Sequence, residues 1–219
     1  PSGTSSILAE HLLKKNLRNV ALVVHENGYT HEVAAAFAKQ FTDHGGTITE
    51  RFDVPTGMND FRAVVAKIGK LKTDALVSIL VEDGSNEPLL RQLKDSKIKL
   101  PHFTDGSGIF NEPSILKNPA LAEGIIGTNF LAPSDKDFIS RFRARYGKDP
   151  QIWSDRAYDA MMIMARAHAQ CNGEIYSCIL GTTFHGATGA ITFNSSGIVK
   201  LSKPLSGLFM YKNGKVVGL

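Results

Sequence analysis

The stretch LPHFTDGSGIF, Leu100 to Phe110, ends an apolar run in a carboxylate, Asp105, followed by Gly106, Ser107 and Gly108. A carboxylate at a strand end either closes a surface turn or supplies a fixed negative charge to a pocket. Glycine beside it lets backbone approach closely. Two more acids, Glu82 and Asp83, follow the apolar run DALVSIL. Paired acids can hydrolyse glycosides, but only at a set separation, and nothing in the sequence fixes one. Other catalytic patterns are missing. GATG and GSG are not phosphate loops, no GxGxxG or GxxxxGK[ST] occurs, and no GxSxG elbow is present. The seven histidines show no HxxxH or HExxH spacing, so neither a metal nor a cofactor is expected. His25, His31 and His185 are scattered and are read as non-functional. Cys171 and Cys178 belong to no CxxC pair; they form a short-loop disulfide in an oxidising compartment, or stay as two thiols.

Bulk properties narrow the class. The 219 residues suffice for one large domain or two small lobes. With 42% hydrophobic and 21% charged residues the chain reads as globular, and no apolar run approaches the roughly 20 residues of a membrane span. The start, PSGTSSILAEHLLKKN, lacks the layout of a signal peptide, as a mature export product also would. The formal charge is +4, with lysine and arginine spread along the chain rather than clustered, so nucleic acid is not an expected partner.

These residues must be positioned by alternating elements. Ser5 to Lys15 reads as a helix, NVALVVHE as a strand buried on both faces, and THEVAAAFAKQFTDHGG as a helix ended by Gly45-Gly46. TITERFDV alternates like a strand, and NDFRAVVAKIGKLK reads as a helix capped by Asn59 or Asp60. DALVSIL is a strand, EPLLRQLKDSKI a helix and LPHFTDG a short strand. This repeat predicts an open parallel, Rossmann-like α/β sheet with helices on both faces and ligands outside the strands' carboxyl ends. HENGYT, VEDGSN and TDGSG, all polar and glycine-containing, fall at those ends.

The second half is different. EGIIGTNF reads as a strand, SDKDFISRFRARYG and SDRAYDAMMIMARAHAQC as helices, GATGAITFNSSGIVK as a hairpin-like pair, and PLSGLFMYKNGKVVGL as a hairpin turning at Asn213-Gly214. No further strands are evident to cover Met161, Met162, Ile163 and Met164, so this half is expected to belong to a lobe completed elsewhere.

The ordered pieces PSGTSS, NVALVVHENGYTHEVAAAF, FDVPTGMNDFRAVVAKI, DALVSIL, TDGS, GTNFLAPSDKDFISRFRARYGKDP, AYDAMMIMARA and GATGAITFNSSG resemble type I periplasmic binding proteins. The branch resembled is the leucine/isoleucine/valine-binding one that serves ABC transporters. The resemblance covers the whole chain and implies two α/β lobes that clamp a small solute for a membrane permease. It implies that residues 1–127 with 203–219 form lobe two, and 128–202 the C-terminal portion of lobe one. The N-terminal portion of lobe one is then absent, which predicts weak or no ligand binding and self-association through exposed apolar helix faces. The expected location is periplasmic or extracytoplasmic, with a lipid anchor as one form such proteins take. A sensing module of a receptor, or an amide-responsive regulator, shares this fold and is the alternative. A Rossmann-like enzyme is the third reading, which a cofactor-binding glycine motif upstream would revive.

The resemblance also implies roles. Asp105 accepts hydrogen bonds from a ligand ammonium group and Gly106 leaves room for it; the alternative is an Asx-turn. Tyr29 matches the tyrosine of a YG motif, with Thr30 in place of glycine, and otherwise packs at a helix start. Glu82 stands where ligand contacts occur and would favour a cationic or strongly polar ligand; otherwise it belongs to a solvated acidic loop. Trp153 would face the cleft and touch the ligand side chain, or else pack internally. Tyr158 and Asp159 fit a YDA motif read as structural.

Overall fold

The computed structural model describes residues 2–81, 84–105, 108–171, 173–202 and 204–219. The chain divides into two compact units, Pro1–Phe130 with Ser206–Leu219, and Leu131–Leu205. In the first unit α1 (Ser2–Lys14), β1 (Asn19–His25), α2 (Gly28–Asp43), β2 (Thr47–Val54), α3 (Arg62–Ile68), β3 (Ala75–Ile79), α4 (Asn86–Asp95) and β4 (His102–Thr104) alternate. Short helices α5 (Gly108–Asn111) and α6 (Pro113–Lys117) and a 3-10 turn, Pro119–Leu121, lead to β5 (Ile126–Phe130). The second unit holds α7 (Lys136–Tyr146), α8 (Ser154–Gln170), α9 (Ile175–Gly181), β6 (Phe184–Gly186), β7 (Gly189–Phe193) and β8 (Val199–Leu201). The chain then returns to the first unit as β9 (Ser206–Lys212) and β10 (Lys215–Gly218).

The first unit is one seven-stranded sheet, ordered β10-β9-β5-β4-β3-β1-β2. Strands β1 to β5 pair in parallel, while β9 runs antiparallel to β5 and β10. Every residue of β3, and all of β1 after Asn19, is buried, as a parallel sheet covered on both faces requires. One face packs Leu8 and Leu12 of α1 and Phe37 and Phe41 of α2 against Leu22 and Val77. The other packs Val65 and Ile68 of α3 and Leu89 and Leu93 of α4 against Val23 and Leu76. Asn213 and Gly214 both take positive φ, 53° and 72°, the pairing a tight antiparallel hairpin demands.

Two expectations need correction. The third helix starts at Arg62 after Phe61 and stops at Ile68; Asp60 accepts from the Arg62 amide at 3.2 Å, but Phe61 is the N-cap, and no cap bond comes from its side chain. The second half does build a sheet. β6 pairs with β7 and β7 with β8, giving three antiparallel strands over a small core of Ile163, Phe184 and Ile191. Strand β6 is only three residues long, too short to leave a period in the sequence. Ile163 is therefore covered, while Met161 and Met164 stay 70% and 51% exposed.

Candidate functional site

The carboxyl ends of β1, β3 and β4 meet at one edge of the first unit, and a band of buried polar side chains lies there. Asp105, directly after β4, is 2% exposed. Ser5 Oγ of α1 donates to its Oδ2 at 2.7 Å, and Thr128 Oγ1 of β5 donates to its Oδ1 at 2.5 Å. An ionised carboxylate has acceptors only, so hydroxyl donors suit it. Asp105 thus does more than end a strand. It ties a helix 100 residues away and a strand 23 residues away to one point.

The loop after β3 is held from two sides. His25 at the end of β1 is fully buried, and its Nδ1 accepts from the Val81 amide at 3.0 Å. Asn86 Nδ2 donates to Val81 O at 3.2 Å and to Glu112 Oε2 at 2.7 Å. Glu112 is fully buried and also accepts from the Glu87 amide at 3.1 Å and Ser114 Oγ at 2.7 Å. Its carboxylate so caps the positive end of α4, where Ser85 makes no side-chain cap bond. Close packing continues at Gly108, where a Cβ would lie 1.9 Å from Leu80 O. Of the predicted residues, Glu82 and Gly106 lie outside the described residues. Tyr29 stands in the first turn of α2, half exposed, next to Asn27, which caps that helix by accepting from the Thr30 amide at 3.0 Å. Sequence reasoning missed Ser5, His25, Asn86, Glu112 and Thr128. Their only local signal was polar residues next to apolar runs.

In the second unit Trp153 precedes α8 with a φ of 79°, rare for a bulky residue. Its ring covers the Arg156 guanidinium, whose carbon lies 4.7 Å from the ring centroid. Arg156 Nη2 donates to Leu131 O and Leu205 O, at 3.3 and 3.2 Å, so it pins the two ends of this unit together. Trp153 also borders an apolar groove of about 500 Å³ with Met164, Ile179, Phe193 and Leu201. Cys171 and Cys178 are joined by a disulfide, which decides between the two states the sequence left open. Among the described residues no group of His, Cys, Asp and Glu side chains could hold a metal, and no helix is long and apolar enough to cross a membrane.

An open, mainly parallel sheet with helices on both faces, and buried polar groups at its strand ends, defines the type I periplasmic-binding-protein fold. Residues 1–194 match the Periplasmic binding protein family, a family of solute-binding proteins, and the chain belongs to it. It is 25% identical over 174 residues to a Leu/Ile/Val-binding protein homolog 6 of Brucella suis, covering 74% of this chain and 44% of that relative. The fold matches a leucine binding protein, LivK, of Thermotoga maritima with a TM-score of 0.81 and 22% identity, covering 100% of this chain and 64% of that one. It also matches an ABC-transporter solute binding protein of R. palustris in complex with 4-hydroxybenzoate, at a TM-score of 0.77 and 18% identity, with 100% and 63% covered. The chain therefore spans less than two thirds of the length of these relatives.

Proposed function

We propose that this chain is a large part of an extracytoplasmic solute-binding protein that holds an amino acid or related small polar solute for an ABC-transporter permease. Asp105 is the observation that carries the reading. A buried carboxylate at a strand's carboxyl end, oriented by two hydroxyl donors, suits a ligand ammonium group. It disfavours a benzoate, whose own negative charge would meet it without a compensating cation. Tyr29, Glu82 and Gly106 are proposed to line the same ligand, with Glu82 favouring a cationic side chain. Catalysis has no part in this function. The disulfide supports an oxidising, extracytoplasmic setting. The groove beside Trp153 supports self-association of the isolated chain.

Titration calorimetry of the complete gene product with L-leucine, L-arginine and 4-hydroxybenzoate tests this. Saturable heat with an amino acid, lost in Asp105→Asn, is expected. Benzoate binding without amino-acid binding, or an amino-acid affinity indifferent to Asp105→Asn, would overturn it. The 219-residue chain alone is expected to bind weakly or not at all. Micromolar binding by it refutes that expectation.

A further inference from the structure

The formal charge of the chain resides in two turns. Residues 67–74 and 94–99 hold Lys67, Lys70, Lys72, Lys94, Lys97 and Lys99 against Asp74 and Asp95, which accounts for the whole +4 excess. The sequence separates these turns; the fold joins them. Helices α3 and α4 lie on the same face of the sheet, so their carboxyl ends reach the same edge, ahead of β3 and β4. The turns touch: a Cβ on Gly69 would be 3.5 Å from Ile98 Cδ1. Between them is an open groove of about 480 Å³ whose lining includes Lys70, Lys97 and Lys99 and contains neither an acid nor an aromatic ring.

All six lysines are exposed, and none makes an ion pair with a described residue. Lys67 and Lys94 lie in the last turns of their helices, where a cation offsets the helix dipole. The other four lie beyond the helix ends. Of the two acids here, Asp74 is occupied by the Arg18 and Asn19 amides at 2.9 and 2.8 Å, and only Asp95 at the end of α4 is left to counter the lysines. This edge is opposite the strand ends that carry Asp105, so a partner here leaves the candidate site open.

We propose that this lysine edge is a docking face for an anionic lipid bilayer. Lysine is a compact, strongly hydrated charge on a flexible stem, suited to a diffuse anionic surface; arginine would mark bidentate recognition of individual phosphates. Single-stranded nucleic acid fits poorly, because the groove lining offers no ring for bases to stack on. The half-buried Leu71, Ile98 and Leu100 between the lysines give the face an apolar floor. The inference rests on the extracytoplasmic reading above, which places the protein beside a membrane surface, and it does not depend on which solute is bound.

Co-sedimentation of the 219-residue chain with phosphatidylcholine vesicles, with and without phosphatidylglycerol, tests it. The chain should bind the anionic vesicles at low ionic strength, ignore the neutral ones, and be released at about 0.5 M salt. K70E/K97E/K99E should weaken binding at least tenfold. K136E/K148E/K200E, with the same change in net charge but in the second unit, should weaken it much less. Circular dichroism checks that both variants fold. Absence of binding to anionic vesicles, or equal losses in the two variants, overturns the proposal. Capture by immobilised polyglutamate without vesicle binding also overturns it, in favour of an acidic protein. Solute titration is unaffected by any of these outcomes, so the two readings fail separately.

Discussion

The Asp159 carboxylate of α8 lies directly over Gly186 of β6. A Cβ at Gly186 would stand 2.3 Å from Asp159 Oδ1, well inside van der Waals contact. The carboxylate cannot retreat. It accepts from the amides of Ala187 and Thr188, both at 2.8 Å, and from Thr188 Oγ1 at 2.6 Å. The GATG turn is thus a backbone cradle for a protein carboxylate, and its first glycine is required by space.

Gly186→Ala is therefore expected to destabilise the second unit by about 1–3 kcal/mol, as overpacking does. Asp159→Ala leaves buried amide donors unpaired and should cost a similar amount. In the double variant the clash is gone, so the two losses should sum to more than the measured total. Trp153 is the chain's single tryptophan, so urea unfolding followed by its fluorescence reports this unit. Strict additivity would mean that the contact is not where the cost lies.

This pairing shows where sequence reasoning reached and where it stopped. β1 and β3 were legible because a strand buried on both faces must be continuously apolar, and the β9–β10 turn because Asn-Gly favours positive φ at both positions. β6 was not, since three residues carry no period and are positioned by Asp159, 28 residues from Ala187. The candidate site followed the same pattern. Asp105 could be singled out from its place after an apolar run. Its hydroxyl donors, and the capping of α4 by Glu112, are set by contacts that no local spacing encodes. The lysine edge likewise exists only once α3 and α4 share a face.

Asp105 should be structural, whatever its proposed role toward a ligand. Asp105→Ala leaves Ser5 Oγ and Thr128 Oγ1 without this acceptor and is expected to cost the first unit about 1–3 kcal/mol. Asp105→Asn should cost less, because the amide keeps an acceptor and hydroxyls can reverse their role. Thermal melts by circular dichroism, compared with Thr128→Val, check the order. Equal stability of all three variants with the parent would show that the tether contributes nothing to the fold.

His102 gives the fold a pH dependence. Its Nε2 lies 2.8 Å from Ser78 Oγ, and burial lowers its pKa from 6.5 to about 4. The unfolded chain then takes up a proton that the folded chain refuses as pH falls from 6.5 toward 4. Stability is lost through that window and restored above it. His11, also lowered, chiefly by burial and then by Lys15 and Lys14, acts in the same direction. Asp60, lowered to about 2 chiefly by its Arg62 hydrogen bonds, acts at more acidic pH. His102→Gln should flatten the loss between pH 7 and 4.5 by about 1–3 kcal/mol, discounted for the imidazole's partial exposure. An unchanged slope in urea denaturation would exclude His102 as its source.

Tyr211 offers a gain instead of a loss. It is 1% exposed, stacks on Phe110 with ring centroids 5.6 Å apart, and its hydroxyl has no hydrogen-bond partner among the described residues. Burying a hydroxyl unpaired costs stability, and a phenyl ring fills the same space without that cost. Tyr211→Phe should therefore stabilise the first unit by about 0.5–1.5 kcal/mol. The same burial raises the tyrosine's pKa above 10, so above that pH the unfolded chain releases a proton more readily and the folded state loses stability. The variant lacks this group, so its advantage should widen as pH rises beyond 10. Urea melts of both proteins at neutral and alkaline pH test the two parts together. Destabilisation by Tyr211→Phe at neutral pH would show that the hydroxyl is paired in solution after all.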